Sequence, residues 1–253
     1  MSSYFNKVKR LISILIISGA VMLNMMLGIQ QAHADNFGFT PQEFASLDHY
    51  CKSVLASLRS NVSAGYGYYV PRNLRRKVLD EGERDGGSWH YCRGLLNYRR
   101  GEIAVKPSQK YDFYDHARKD MLYSYNSMEK NRPRAPVFAT NIAKTYRKLG
   151  QKKNEMRFLN NALKLFPDYA DLYTEYGLLY YFDNDFKNAK EKLLKANELH
   201  NGKSSEVIYF LGLTSLEAGS IAEAKKYAKQ ANDMGYPLKG LSERIARYEQ
   251  NKE

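Results

Sequence analysis

No H-E-x-x-H, G-x-S-x-G, phosphate-binding P-loop or glycine-rich dinucleotide turn occurs in this chain. That removes the zinc-hydrolase, serine-hydrolase and nucleotide-binding chemistries those motifs carry. The isolated carboxylates, and His116 and His200, have no neighbours that make a site, so neither an enzymatic activity nor a cofactor is expected. Cysteine is scarce: Cys51 and Cys92 are the only two, and without C-x-x-C-H there is no covalent haem attachment. Neither ends the N-terminal apolar run, which argues against a lipid-anchored form, and no second apolar run of that length is present. Acid is short too, with 27 Asp and Glu against 39 Lys and Arg, a net charge of +12. Such a balance suits nucleic acid, anionic lipid, an envelope polymer or plain solubility, and does not choose among them. What is present suffices for a core: 253 residues, 43% apolar and 13% aromatic, exclude a disordered chain.

Lys7, Lys9 and Arg10 open the chain, an apolar run covers 11–29, and Ala32-His33-Ala34 precedes Asp35. Basic start, apolar run and A-x-A end describe a secretory signal peptide cut after Ala34, with the mature chain in the periplasm. A run of about 19 residues is also near the length that spans a bilayer, so an uncleaved inner-membrane anchor is the alternative. Removing residues 1–34 takes away three basic and no acidic residues and leaves +9. An exported chain without a nucleic-acid motif is not expected to bind nucleic acid, and nothing points to a small molecule.

In an oxidising compartment Cys51 and Cys92 are expected to pair. Both stand in a His-Tyr-Cys tripeptide, at 49–51 and 90–92. The rival reading is a metal or haem site from His49, Cys51, His90 and Cys92. Residues two apart on a helix point about 200° from each other, so the four do not easily converge.

Thr40-Pro41-Gln42-Glu43 is a capping box with proline at the first helical position, predicting a helix to about 58 with Phe44, Leu47, Cys51 and Leu55 on one face. Gly65-Tyr66-Gly67-Tyr68-Tyr69, Pro71 and Asp85-Gly86-Gly87 then break any pattern around a short charged helix at 72–84. Ser88 reads as the N-cap of a helix carrying Trp89, Cys92, Leu95, Leu96 and Tyr98, stopped by Gly101. Residues 102–110, with Pro107, read as a loop, and a helix is expected over 111–129. These two helices resemble a degenerate repeat with a stretched connection, because Gly94 and Ala117 lie 23 residues apart.

From 135 on, a pattern recurs at a step of 34. Ala143 and Tyr146 match Gly177 and Tyr180, Leu159 and Ala162 match Leu193 and Ala196, and Pro167 closes the first unit. Gly212, Ala224, Ala228 and Ala231 repeat the pattern after one inserted residue near Asn201-Gly202-Lys203. This step, with small and aromatic residues in these slots, resembles the tetratricopeptide repeat, a helix-turn-helix unit that stacks on its neighbours. The resemblance implies an all-α solenoid of antiparallel helix pairs, preceded by an irregular, disulfide-linked helical region at 35–134. Units are expected at about 136–169, 170–203 and 205–238, with turns at Gly150, Asp183-Asn184 and Gly219 and a polar capping helix over 238–253. The front half is similar to exported repeat proteins of proteobacteria.

In that family the first helix of each unit lines a groove. The places carried over are Val137, Thr140, Lys144 and Arg147; Asp171, Thr174, Leu178 and Tyr181; and Glu206, Tyr209, Leu213 and Leu216. The resemblance thus implies an adaptor or scaffold in the cell envelope. A partner peptide would rest apolar side chains on Tyr181 and Tyr209 and an acidic end on Lys144 and Arg147. Some members clamp a C-terminal carboxylate with Lys, Asn and Arg spread over several units. Here Lys144, Asn141 and Arg147 share one unit, and Asp171, Glu175 and Glu206 in the next two depart from that pattern. A second candidate surface is basic: Arg72, Arg75, Arg76 and Lys77, continuing toward Arg84, Arg93, Arg99 and Arg100, with Tyr66, Tyr68, Tyr69 and Tyr98 interleaved. It would suit an anionic polymer, a polysaccharide or an anionic lipid surface.

Overall fold

The computed structural model describes residues 39–58 and 71–250; the expected signal peptide and the tyrosine-glycine segment at 65–70 lie outside them. Two compact units divide at Ser46 and Leu47. In the first, helix α1 (Pro41–Ser46) starts on the expected capping box. The Glu43 carboxylate accepts from the Thr40 amide at 2.8 Å, and the Thr40 hydroxyl accepts from the Glu43 amide at 3.2 Å. Phe39 stacks on Phe44 at 5.5 Å, the hydrophobic staple that fixes how the chain enters the helix.

The single helix expected through 58 is in fact two. Asp48 accepts the Cys51 amide at 2.7 Å and so caps a new helix, α2 (His49–Ser57), instead of continuing the old one. A short acidic side chain satisfies helix N–H groups better at an N-cap than in a helix interior.

The second unit continues with α3 (Arg72–Arg84), α4 (Ser88–Ile103) and α5 (Pro107–Ser127). The α4–α5 pair differs from expectation in three ways. Gly87, in the left-handed region at φ 65°, takes the N-cap place expected of Ser88. Gly101 does not stop α4; a Cβ there would lie within 2.9 Å of the Tyr114 ring, so glycine serves close packing. Pro107 opens α5 as its first residue, which suits a residue lacking the N–H that would be unpaired there. Only 104–106 connect the helices, and the wide spacing of Gly94 and Ala117 is taken up by length of helix.

The repeat array follows as α6 (Ala135–Lys148) with α7 (Lys152–Leu165), α8 (Ala170–Phe182) with α9 (Phe186–Leu199), and α10 (Ser205–Glu217) with α11 (Ile221–Asp233). Helix α12 (Gly240–Gln250) ends it. Each pair turns on a left-handed residue at the same slot: Gly150, Asn184 and Gly219, at φ 67°, 60° and 79°. The next amide reaches back into the helix, Gln151 to Tyr146, Asp185 to Tyr180 and Ser220 to Ser215, at 2.9, 3.0 and 2.8 Å. This is the Schellman closure that such residues permit. The first helices touch one another in a row, α6–α8–α10–α12, and each second helix packs against the first helices on either side of it. Helices α7, α9 and α11 therefore bury one narrow stripe each, whereas α8 and α10 are buried on nearly every side.

Cys51 and Cys92 form a disulfide that ties α2 to α4, with both residues fully buried and Cα atoms 5.3 Å apart. Their thiols are thus not free to ligate a metal. Tyr91, next to the bridge, stacks on Phe138 at 3.5 Å and accepts from Asn141 at 2.7 Å, which joins α4 to the array. Asp85 accepts from Tyr50 at 3.1 Å and Arg132 at 2.8 Å, and the Arg134 guanidinium lies 3.4 Å over the Tyr50 ring. The bridge closes a loop of 41 residues. Replacing both cysteines with alanine should lower the unfolding free energy by about 4 kcal/mol in the chain-entropy model. Urea denaturation of the two forms measures it, and an unchanged midpoint would show that other contacts already hold α2 in place.

Candidate functional site

The row of first helices sets out the expected groove side chains, and most are not open. Thr140, Thr174, Leu178, Tyr181, Tyr209 and Leu213 are all buried. The Thr140 and Thr174 hydroxyls donate to their own helices, at Pro136 and Ala170, as threonine does inside a helix. The Tyr181 ring packs edge-on against Phe210 at 5.5 Å, and Tyr209 lies against Tyr236 at 4.5 Å. These two rings are parts of the core, not free anchors.

Lys144 and Arg147 stand together, but against carboxylates of their own chain. Arg147 donates from Nε and Nη2 to Glu155 Oε1 at 3.0 and 2.8 Å, to the Glu175 backbone oxygen at 3.1 Å, and to the Glu175 carboxylate. Lys144 lies 3.5 Å from the other Glu175 oxygen. Asn141 spends its amide on Tyr91 and Val137. All three members of the supposed clamp are engaged internally.

The repeat explains how this cluster arose. A step of 34 places Arg147 in the slot of Tyr181 and Leu216, and Glu155 in the slot of Ala189 and Ala224. Unit one therefore carries a buried arginine–glutamate contact where the next two units have Tyr181 with Ala189 and Leu216 with Ala224, and the next unit's Glu175 is the second carboxylate beside Arg147. Glu155 is 0% exposed and its Oε2 has no hydrogen-bond partner. Burial raises its carboxyl to about 7, the Glu175 charge raises it too, and Arg147 opposes both. Glu206, open to solvent on α10, is raised by the surrounding protein and by Glu175.

At the α10–α12 end a pocket of about 560 Å³ is lined by Leu216 and Glu217 from the end of α10, by Gly219 from the turn after it, and by Arg244, Arg247 and Tyr248 from α12. Arg244 donates to Glu217 at 2.9 Å and reaches the Tyr181 hydroxyl at 3.5 Å, so α12 continues the row of first helices. Reading α12 only as a polar cap hides these residues. Carrying the inward slots one unit further, at a step of 34, leads from Leu213 to Arg247.

The basic surface is divided. Arg72, Arg76 and Lys77 are exposed on α3, and Arg75 is half-buried. Arg93 is paired with Asp120, Arg84 donates to the Asp80 backbone oxygen, and Arg99 and Arg100 are half-buried on α4. Tyr66, Tyr68 and Tyr69 lie outside the described residues. Among the described residues, no three His, Cys, Asp or Glu side chains converge as a metal site would need, and no helix is long and apolar enough to cross a membrane.

Residues 138–169 match the family model of the tetratricopeptide repeat. No curated protein matches the chain in sequence. Among solved structures, YrrB, described as a TPR protein with an unusual peptide-binding site, is 13% identical, with 70% of this chain and 81% of that one covered and a TM-score of 0.45. TTC0263, a thermophilic TPR protein of Thermus thermophilus, is 19% identical over 63% and 90%, with a TM-score of 0.42. MamA from Desulfovibrio magneticus RS-1 is 19% identical over 72% and 94%, with a TM-score of 0.43.

Glu155 gives the cluster a pH signature. Its folded-state value, about 7, is above its ordinary 4.5, so between those values the folded protein holds a proton that the unfolded chain has released. Its contribution is complete below about pH 4.5 and is lost as pH rises through about 7. Glu155→Gln should remove that loss: the fall in unfolding free energy between pH 5 and pH 8 should be smaller in the variant. Equal falls would mean the carboxyl is already ionised at pH 5.

Proposed function

We propose that this tetratricopeptide-repeat protein is an exported protein–protein interaction scaffold that holds a segment of a partner in the cell envelope. The repeat fold supports an adaptor over an enzyme. One observation carries the placement of the partner: Thr140, Thr174, Leu178, Tyr181, Tyr209 and Leu213 along the row of first helices are buried, and a pocket lies at its α10–α12 end. There Leu216 and Tyr248 offer apolar contact, and Arg247 is an exposed cation beside the Arg244–Glu217 pair. A partner segment with an apolar residue next to a carboxylate fits that lining. Lys144 and Arg147, held against Glu155 and Glu175, organise the neighbouring units and leave ligand charge to the other end.

A benzophenone amino acid at Tyr248 should give a discrete crosslinked partner in the native envelope, while the same probe at the exposed outer residue Leu194 should not. Arg247→Glu should reduce the adduct more than about tenfold. Equal adducts from both positions would overturn the reading.

A second reading rests on α3. Its first two turns carry Arg72, Arg75, Arg76 and Lys77, and its acids, Asp80, Glu81 and Glu83, come later. That order opposes the helix dipole, which favours acid at the N-terminal end. A polyanion lying along the first turns would relieve the conflict. Binding of an anionic polysaccharide that falls steeply with salt, and is lost in Arg72→Ala/Arg76→Ala/Lys77→Ala, is the expected outcome; salt-independent binding would rule it out.

A further inference from the structure

The α4–α5 hairpin is longer than the other helix pairs and ends in apolar residues that stand open to solvent among the described residues. Helices α4 and α5 have 16 and 21 residues, where each helix of the regular array has 13 or 14. The last packed layer is marked by Gly101 against Tyr114. There Lys148, the end of α6, pairs with Glu102 at 2.8 Å and sits 6.0 Å over the Tyr114 ring. Beyond that layer every residue from 105 to 112 is exposed. The first seven residues of α5 extend about 10 Å at the ordinary helical rise. At the apex Ile103 is 78% exposed and Val105 is 90% exposed, and one helical turn back Tyr111 is 52% exposed. Lys106 and Lys110 flank them, and the nearest acids are Glu102, paired with Lys148, and Asp112.

We propose that this tip is a membrane-contacting element that dips Ile103 and Val105 into the surface of an anionic phospholipid bilayer. The order of side chains along the hairpin is the order of chemistry across a bilayer surface. Branched aliphatics come first, ammonium groups able to meet lipid phosphates next, and an amphipathic tyrosine ring behind them. Pro107 at the first position of α5 stiffens the apex. A convex apex with two small aliphatic side chains needs no matching socket in a fluid surface, whereas a protein partner would have to supply one. A second copy of the tip would bring Lys106 and Lys110 against their own equivalents. The surface is independent of the α10–α12 pocket, so either assignment can fail without the other.

The chain has a single tryptophan, Trp89, which makes the test site-specific even though the N-terminal apolar run can itself bind lipid. In the full-length Trp89→Phe/Val105→Trp variant, the introduced indole reports on the tip alone. With vesicles of mixed phosphatidylcholine and phosphatidylglycerol, its emission should move to the blue and be quenched by lipids brominated along the acyl chain. Vesicles of phosphatidylcholine alone should give little of either. Lys106→Ala and Lys110→Ala should each weaken the response roughly fivefold. If the Trp89→Phe background does not fold by circular dichroism, the same signal is taken as the difference between Val105→Trp and the parent chain. Unchanged emission on vesicles that co-sediment the protein overturns the proposal. An equal response to both vesicle types overturns its anionic requirement. A blue shift that grows with protein concentration without lipid overturns it in favour of self-association.

Discussion

Close approach between helices is the constraint on which the rest of this protein depends. A Cβ on Gly177 would press into Leu193, one on Gly94 would come within 3.0 Å of the Ala117 carbonyl, and one on Gly212 within 3.1 Å of the Tyr227 Cβ. Ala143, in the matching slot of the first unit, is fully buried. With these backbones drawn together, the second helices need only a thin stripe of Ala and Leu. The central first helices are enclosed, since neighbours reach them from every direction. An array packed this tightly has little room left along the middle of its inner row, and its open chemistry is displaced to the ends: the pocket at α12 and the tip of the α4–α5 hairpin.

The architecture was legible because spacing carries it. A step of 34 fixes which positions must be small, and the left-handed residues at Gly150, Asn184 and Gly219 fall where the turns require them. The pairing of Cys51 with Cys92 was legible from their number and from the expectation of export. Misreadings came where one residue type serves two purposes. Gly101 and Pro107 usually mark the end of a helix; here the glycine admits a tyrosine ring and the proline begins a helix. Asp48 reads equally well as a polar position within a helix and as the cap of the next one.

The site was less legible than the fold because an inward slot says where a side chain points and not whether it is already occupied. Tyr181 and Tyr209 point inward and are spent on Phe210 and Tyr236. Lys144 and Arg147 read as a basic end until Glu175 is placed beside them, and that placement depends on stacking between units. Glu155 was visible in principle: it is the one charged residue in a column otherwise held by Ala189 and Ala224. The chain's excess of basic residues likewise does not predict a basic groove, since the cations nearest its middle are neutralised locally.

The cluster of Arg147, Glu155 and Glu175 also bears on how such an array can change over time. Repeat proteins lengthen and shorten by duplicating or deleting whole units, which works when any unit can neighbour any other. Here the first regular unit has given up that freedom. Its buried arginine is balanced partly by a carboxylate that belongs to the following unit, so a copy of unit one inserted elsewhere would meet Phe210 or Asn141 where it needs Glu175. Units one and two are bound to their order and to each other. Recombination within this array is confined to the part beyond them.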